Sequence, residues 1–207
     1  MLNIKKLVTA AALAVLPGMA SAAILDFTAA GSLTGTFQGV GYTVTGSPRA
    51  ANQRQNFDGD ASLVLAPLAL EKDGIGVGDD EISFGEIVTI TFDRTVTIRD
   101  IYFLDLFESP STREEEVAIV TGDDVPGVLT FGAFERYPGT GYAEASLAGG
   151  LRGSVFTFTS SFTNDSVGRP DYALAGLNLA PIPLPAGGLL LVSGLALAGG
   201  IARRRKA

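Results

Sequence analysis

The chain contains no histidine, no cysteine and no tryptophan. Without histidine there is no Ser-His-Asp triad, no imidazole general base and no histidine-based zinc site. Without cysteine there is no thiol nucleophile, no disulfide and no lipid-modified cysteine. The strongest aromatic platform for stacking a sugar is also missing. Five tyrosines remain as weaker substitutes, at Tyr42, Tyr102, Tyr137, Tyr142 and Tyr172.

The N-terminus has the organisation of a secretory signal peptide. Lys5 and Lys6 form a short basic region, Leu7 to Leu16 is apolar, and Pro17-Gly18 interrupts the run. Ala20-Ser21-Ala22 is an A-x-A site, which predicts cleavage between Ala22 and Ala23. The alternative is an uncleaved anchor, but the apolar run is well short of the roughly 20 residues that a spanning helix needs.

The C-terminus combines a proline-rich motif, an apolar run and a basic end. Gly188 to Ala202 carries no charge and approaches the lower limit of about 17 residues for a membrane span when counted from Pro185. The basic cluster that follows predicts a cytoplasmic end by the positive-inside rule. A buried core helix is the alternative, and a terminal basic cluster disfavours it. The cluster consists of Arg203, Arg204, Arg205 and Lys206.

This tail resembles the sorting signal of bacterial exosortase substrates, the PEP-CTERM superfamily in its VPLPA-CTERM variant. The motif here is Ile182, Pro183, Leu184, Pro185 and Ala186, with Ile in place of the usual leading Val. The resemblance covers about 26 residues. It implies transient anchoring in the inner membrane of a Gram-negative bacterium, with the domain in the periplasm. Exosortase cleavage near the motif and delivery to the cell surface would follow.

Three segments follow from these signals: 1–22 as signal peptide, 23–180 as an exported domain and 181–207 as the sorting signal. The exported domain has about 160 residues, enough for one core. The signal peptide holds two of the 15 basic residues and the tail four, which leaves nine against 22 acidic residues, a net charge of −13. Such a charge argues against binding to nucleic acid or to anionic membrane through the domain and suits attraction to cations such as Ca²⁺.

The exported domain is predicted to be all-β. Val88, Ile90 and Phe92 alternate with threonines, as a half-buried strand requires, and Asp93-Arg94 predicts a turn. A hairpin is expected around Gly39 and Gly41, and a bulge at Asp100. Roughly eight to ten strands without a helix predict a two-sheet, jelly-roll-like β-sandwich. Further strands are expected within 24–27, 95–107, 115–120, 128–131, 155–159 and 172–179.

One acidic segment is a candidate Ca²⁺ site. Asp79, Asp80 and Glu81 are followed by Glu86, and Ca²⁺ prefers several hard oxygen ligands supplied by a loop. The sequence resembles a stretch found in β-sandwich ectodomains that carry this sorting tail. Asp58-Gly59-Asp60 is a further source of ligands, although the full spacing of a known calcium loop is absent. The alternative is a solvated acidic turn.

Two other patterns favour structural interpretations. Gly74-Ile-Gly-Val-Gly78 lacks the strand and helix of a dinucleotide-binding unit and predicts a glycine-rich turn. Glu114-Glu115-Glu116 predicts a solvated loop or strand edge, where charge discourages unwanted pairing.

Two classes of function remain. The first is a non-catalytic surface or extracellular-matrix protein, processed by signal peptidase and exosortase, with glycan or Ca²⁺ as ligand and extracellular polysaccharide as a partner. The second is an extracellular hydrolase that acts on glycans through two carboxylates with different pKa values. The sequence selects no such pair and lacks tryptophan, so we expect the first class, without catalysis and without a cofactor other than Ca²⁺.

Overall fold

The computed structural model describes residues 23–136, 139–161 and 171–180. These residues form an all-β structure in which the one helical element is a 3-10 turn at Ala61–Leu63, so the all-β part of the fold prediction is confirmed. The described residues include no helix with the length and hydropathy to cross a membrane. The predicted signal peptide and the predicted C-terminal membrane helix lie outside the described residues.

Twelve strands follow one another in the described residues. They are β1 (Ala23–Asp26), β2 (Thr34–Phe37), β3 (Val40–Ser47), β4 (Ala51–Asn52), β5 (Gly76–Val77), β6 (Ile87–Leu104), β7 (Phe107–Glu108), β8 (Val117–Gly122), β9 (Leu129–Gly132), β10 (Glu135–Arg136), β11 (Ala143–Ser160) and β12 (Ala173–Leu179).

Most of these strands belong to one eight-stranded antiparallel sheet. Its order is β1-β12-β6-β11-β8-β9, with β3 also paired to β6 and β2 paired to β3. The pairs β4-β5 and β7-β10 form two small separate sheets. Strands β6 and β11 are each 18 residues long, and their two halves pair with different neighbours.

The long strands divide the sheet into two regions. The threonine region consists of β2, β3, β8 and β9 with residues 87–92 of β6 and 155–160 of β11. The covered region consists of β1 and β12 with residues 96–104 of β6 and 143–153 of β11. Side chains from both regions belong to one buried hydrophobic cluster.

Alternation along β6 explains the burial in the threonine region. Val88, Ile90 and Phe92 are at most 3% exposed, as the sequence predicts, and threonines fill the positions between them. In that region the opposite face of the sheet carries threonine from several strands, because side chains alternate between faces along every strand.

Asp93 and Arg94 do not end the strand, which corrects the predicted turn. β6 continues through them, but Thr91 pairs with Val155 and Val96 with Gly153, so the intervening residues of β6 face a single residue of β11. At this irregularity β6 passes from the threonine region to the covered region, and the chain does not reverse direction. The bulge expected at Asp100 is confirmed at the neighbouring residue, because Asn178 pairs with Asp100 while Leu179 pairs with Ile98 and skips Arg99.

The outer face of the covered region is not open, because the loop between β4 and β5 lies over it. Apolar loop side chains, including Phe57 and Leu68, pack against Tyr102 and Tyr142. Asp26 of β1 binds this loop, because its Oδ2 accepts a hydrogen bond from the Ala69 backbone N–H at 2.7 Å. This loop brings chemically active side chains to the covered region.

Candidate cation-binding site

The structure divides the four predicted Ca²⁺ ligands into two pairs. Asp79 and Glu86 both face Arg49, whose Nη2 lies 2.7 Å from Glu86 Oε1 and 3.7 Å from Asp79 Oδ2. Glu86 Oε2 also accepts a hydrogen bond from the Ser83 backbone N–H at 3.0 Å. Glu86 is buried and its charge is balanced by the guanidinium, so these two acids are engaged in an ion pair.

Asp80 and Glu81 belong to a different group. The Val77 backbone N–H donates to the Glu81 carbonyl oxygen at 2.8 Å, which folds the chain back across Gly76. A Cβ added at Gly76 would lie 2.1 Å from the backbone of Asp80 and Glu81, so this turn requires glycine. The Ile82 N–H then donates to the Tyr172 carbonyl oxygen at 2.7 Å, which places Glu81 beside Asp171.

Three further acids approach the same place from other segments. Asp105 follows the end of β6, has a φ of 55° and donates its backbone N–H to the Thr140 carbonyl oxygen at 3.0 Å. Asp73 precedes β5 and is 5% exposed. Its Oδ1 accepts a hydrogen bond from the Asp58 N–H at 3.3 Å. We call the set the carboxylate cluster: it consists of Asp58, Asp73, Asp80, Glu81, Asp105 and Asp171.

Burial and like charge raise the pKa values of three members of this cluster, Glu81, Asp105 and Asp73. Burial raises the pKa of Glu81 well above its usual range, and the nearby charge of Asp171 and a hydrogen bond with it add to the effect. Burial also raises the pKa of Asp105 to about 8, with contributions from the carboxylates around it. Asp73 is affected less, since burial and Asp58 raise its pKa to about 6 while the Asp58 N–H and Lys72 oppose the rise.

These shifts define what the cluster can do chemically. Asp73 is buried, four other members are half-buried and Asp58 is exposed. Carboxylates that lie close together and are partly shielded from water are costly to ionise all at once, so some of them either keep protons at neutral pH or associate with a cation. In the described part of the chain, no three acidic side chains are already arranged closely enough to hold a metal ion. Cation binding would therefore require the side chains to move together and lose their protons.

The other predicted patterns have structural roles in the described residues. Asp60 does not join the cluster, because its Oδ1 accepts hydrogen bonds from the Ser62 N–H at 2.9 Å and hydroxyl at 2.7 Å. The turn predicted for Gly74 to Gly78 is wrong for the middle of the segment, because Ile75 bridges to Leu174 and Gly76–Val77 form β5. Gly74 and Gly78, on either side, have positive φ angles. Glu116 is 4% exposed and accepts a hydrogen bond from the Phe107 N–H at 2.7 Å, so it is not a solvated residue.

Sequence reasoning found Asp80 and Glu81 and considered Asp58, but it missed Asp73, Asp105 and Asp171. The available signal was that Asp105 and Asp171 each lie within two residues of an apolar strand. That signal shows an acid at a strand end but does not show which strand ends meet.

No protein-family model matches the chain, and no curated protein matches it by sequence.

Proposed function

We propose that the chain is an exported, exosortase-processed surface or extracellular-matrix protein whose acidic β-domain binds Ca²⁺ at the carboxylate cluster. The order of parts in segment 181–207 supports the sorting step: a proline motif, an apolar run and a basic end. The A-x-A site before Ala23 supports export. Strand β1 pairs along its length with β12, so Ala23 to Asp26 are part of the folded domain.

The proposed architecture is a jelly-roll-like sandwich followed by one membrane helix. The single core shared by the threonine and covered regions supports a two-layer arrangement, in which β6 and β11 pass from one layer to the other. The uncharged run from Gly188 to Ala202 supports the helix. In this proposal signal peptidase and exosortase process the chain, and the domain has no catalytic role.

The convergence of six carboxylates from four separate chain segments carries the Ca²⁺ proposal. Ca²⁺ takes six to eight oxygen ligands, and acids gathered from distant segments can supply them without a contiguous calcium loop. A bound cation would also remove the electrostatic cost that raises the pKa values of Glu81 and Asp105. Binding would then release protons near neutral pH.

Thermal unfolding tests this proposal. The full-length chain in detergent should melt at a higher temperature in Ca²⁺ than in chelator at a pH near the Asp105 pKa of about 8. A ligand at 100 times its Kd stabilises by about 2.7 kcal/mol, which is readily detected. Addition of Ca²⁺ to a weakly buffered sample should also lower its pH.

A matched pair of double variants identifies the site. Glu81→Gln with Asp105→Asn should remove the Ca²⁺ effect, whereas Asp79→Asn with Asp124→Asn, which replaces the same number of carboxyl groups outside the cluster, should retain it. Identical melting of the unmodified protein in Ca²⁺ and in chelator would contradict the proposal. It would show that the cluster is unoccupied and partly protonated.

The sorting step is tested in cells with and without exosortase. Replacement of Pro183 and Pro185 by Ala removes the residues that prevent helix formation in the motif. We expect the uncleaved variant to accumulate in the inner membrane, as the unmodified chain should when exosortase is absent. A product of the same size and location in both strains would show that the segment is a plain anchor.

A glycan hydrolase is the second candidate, favoured by the hydrogen-bonded pair of Glu81 and Asp171. A carboxylic acid that stays protonated at neutral pH can act as a general acid beside an ionised partner. If this candidate is right, the protein should cleave a polysaccharide in chelator, and Glu81→Gln should abolish the activity. Ca²⁺-dependent stabilisation without turnover favours the first proposal.

A further inference from the structure

A second set of polar groups lies on the opposite part of the sheet, away from the carboxylate cluster. Thr34, Thr43 and Thr91 are direct cross-strand neighbours on β2, β3 and β6, so their side chains lie in a row on one face. Adjacent strands are about 4.8 Å apart, which sets the spacing along the row. Within the described part of the chain, none of the three hydroxyls has a hydrogen-bond partner.

A shallow cavity of about 300 Å³ accompanies this row and includes all three threonines, Tyr42 and Asp93 in its lining. Gly41 makes room for the carboxylate, because a Cβ at that position would lie 3.1 Å from Asp93 Oδ2. The half-exposed Asp93 accepts a hydrogen bond from Arg94 Nε at 2.9 Å. That bond, followed by one from the Gly41 N–H, lowers the pKa of Asp93, so it is an ionised acceptor at neutral pH.

A parallel row continues the pattern across the sheet. It lies two residues further along the strands, about 6.7 Å away. Its four members are also direct cross-strand neighbours, and none carries charge. They are Thr45, Thr89, Thr157 and Thr121. The surface thus presents hydroxyl and methyl groups at regular intervals on a domain whose net charge is −13.

We propose that these rows and the cavity beside Asp93 bind an extended neutral polysaccharide. A threonine hydroxyl donates and accepts hydrogen bonds, as sugar hydroxyls do, and its methyl group packs against the C–H face of a sugar ring. The interval between strands is close to the length of one sugar unit in an extended chain. The acidic domain repels anionic polysaccharides, so charge favours a neutral one. This inference specifies the polysaccharide partner of the proposed surface role and rests on it for biological context.

Binding to named polysaccharides tests the inference. The full-length chain in detergent is incubated with microcrystalline cellulose, chitin and dextran, and with alginate as the anionic comparison, all in chelator. We expect retention on at least one neutral polymer and none on alginate. Because chelator removes any Ca²⁺ effect, failure of the cation site leaves this result unchanged.

Two variants and a control locate the site. Thr43→Val with Thr91→Val preserves shape and strand preference but removes two hydroxyls, and it should weaken binding by about tenfold or more. Asp93→Ala should weaken it independently, which keeps the test valid if the first variant does not fold. Thr95→Val with Thr97→Val changes β6 outside the row and should bind normally.

Three results would overturn the inference. They are no binding to any neutral polymer, equal binding by the Thr43→Val/Thr91→Val and control variants, or binding to alginate that equals binding to the neutral polymers.

Discussion

The threonine region and the covered region are built from the same two long strands, yet their outer faces differ in every chemical respect. The outer face of the threonine region carries short hydroxyl side chains such as Thr43 and Thr91, both exposed. The outer face of the covered region lies beneath a loop and contains buried Tyr102. The two regions share their long strands, so the β4-β5 loop, which packs over one of the two outer faces, accounts for the difference in exposure.

The largest expected difference between the regions concerns two glycines. Gly76→Ala near the cluster should destabilise the protein by about 3 kcal/mol, the upper end of overpacking costs, because the new Cβ meets backbone at 2.1 Å. Gly39→Ala in the β2-β3 turn of the threonine region should cost only about 1 kcal/mol, since φ is positive there but space is open. Denaturant unfolding measures both, and equal losses would contradict the comparison.

The two regions should also respond to pH in opposite directions. In chelator, Asp105 releases its proton near pH 4 when unfolded but only near pH 8 when folded. Its contribution to stability is therefore fully present below about pH 4 and is lost as pH rises towards 8. Asp105→Asn should flatten the fall in Tm across that range.

Asp123, beside the threonine region, provides the opposite case. Hydrogen bonds from the Ser154 hydroxyl and from the Val155 and Ser154 N–H groups lower its pKa to about 2. Its contribution is present above about pH 4 and is lost as pH falls towards 2. Asp123→Asn should therefore alter the acid side of the Tm profile and leave the alkaline side intact. A change on the alkaline side would contradict this assignment.

A smaller effect is expected at Arg49. Arg49→Gln removes the ion-pair partner of Glu86, which is buried and retains the hydrogen bond from the Ser83 N–H. Because Arg49 is more than half exposed, solvent moderates the loss, and the fall in Tm should be smaller than that of Gly76→Ala. If the double variant Arg49→Gln with Glu86→Gln regains the Tm lost in Arg49→Gln, the loss of the charge pair is the cause of the fall in Tm.

The smallest effect should come from the open face itself. Thr121 and Thr157 hydrogen-bond to each other across β8 and β11. Replacement of both by Val keeps the strand preference and removes two half-exposed hydroxyls, so stability should change by no more than about 0.5 kcal/mol. A loss comparable with Gly76→Ala would show that this face is part of the folding core.

Sequence patterns predicted the strands that alternate strongly and missed those that do not. The alternation of Val88, Ile90 and Phe92 located the first half of β6, and the glycines near residue 39 located the β2-β3 hairpin. The first half of β11 was not predicted as a strand, because it is composed largely of alanine and glycine. Ala143 and Ala145 are buried there, but their small side chains give little hydrophobic contrast.

The candidate site was less predictable for a different physical reason. Asp80 and Glu81 stood out as neighbours in a charged run, while Asp105 and Asp171 each stand alone beside apolar residues. Their proximity depends on the pairing of β12 with β6 and on the bridge between Ile75 and Leu174, contacts between residues far apart in the chain. Local pattern contains no information about such pairings.

The position of β12 has a mechanical consequence. This last described strand lies between β1 and β6 and is hydrogen-bonded on both sides, and the Ala180 N–H donates to the Thr97 carbonyl oxygen at 2.8 Å. Any tension transmitted from residues beyond Ala180 acts along β12. Both ladders then resist in shear, with many hydrogen bonds loaded together, whereas an edge strand could peel away one bond at a time. A pull on the chain beyond Ala180 would therefore meet more resistance at β12 than it would at an edge strand.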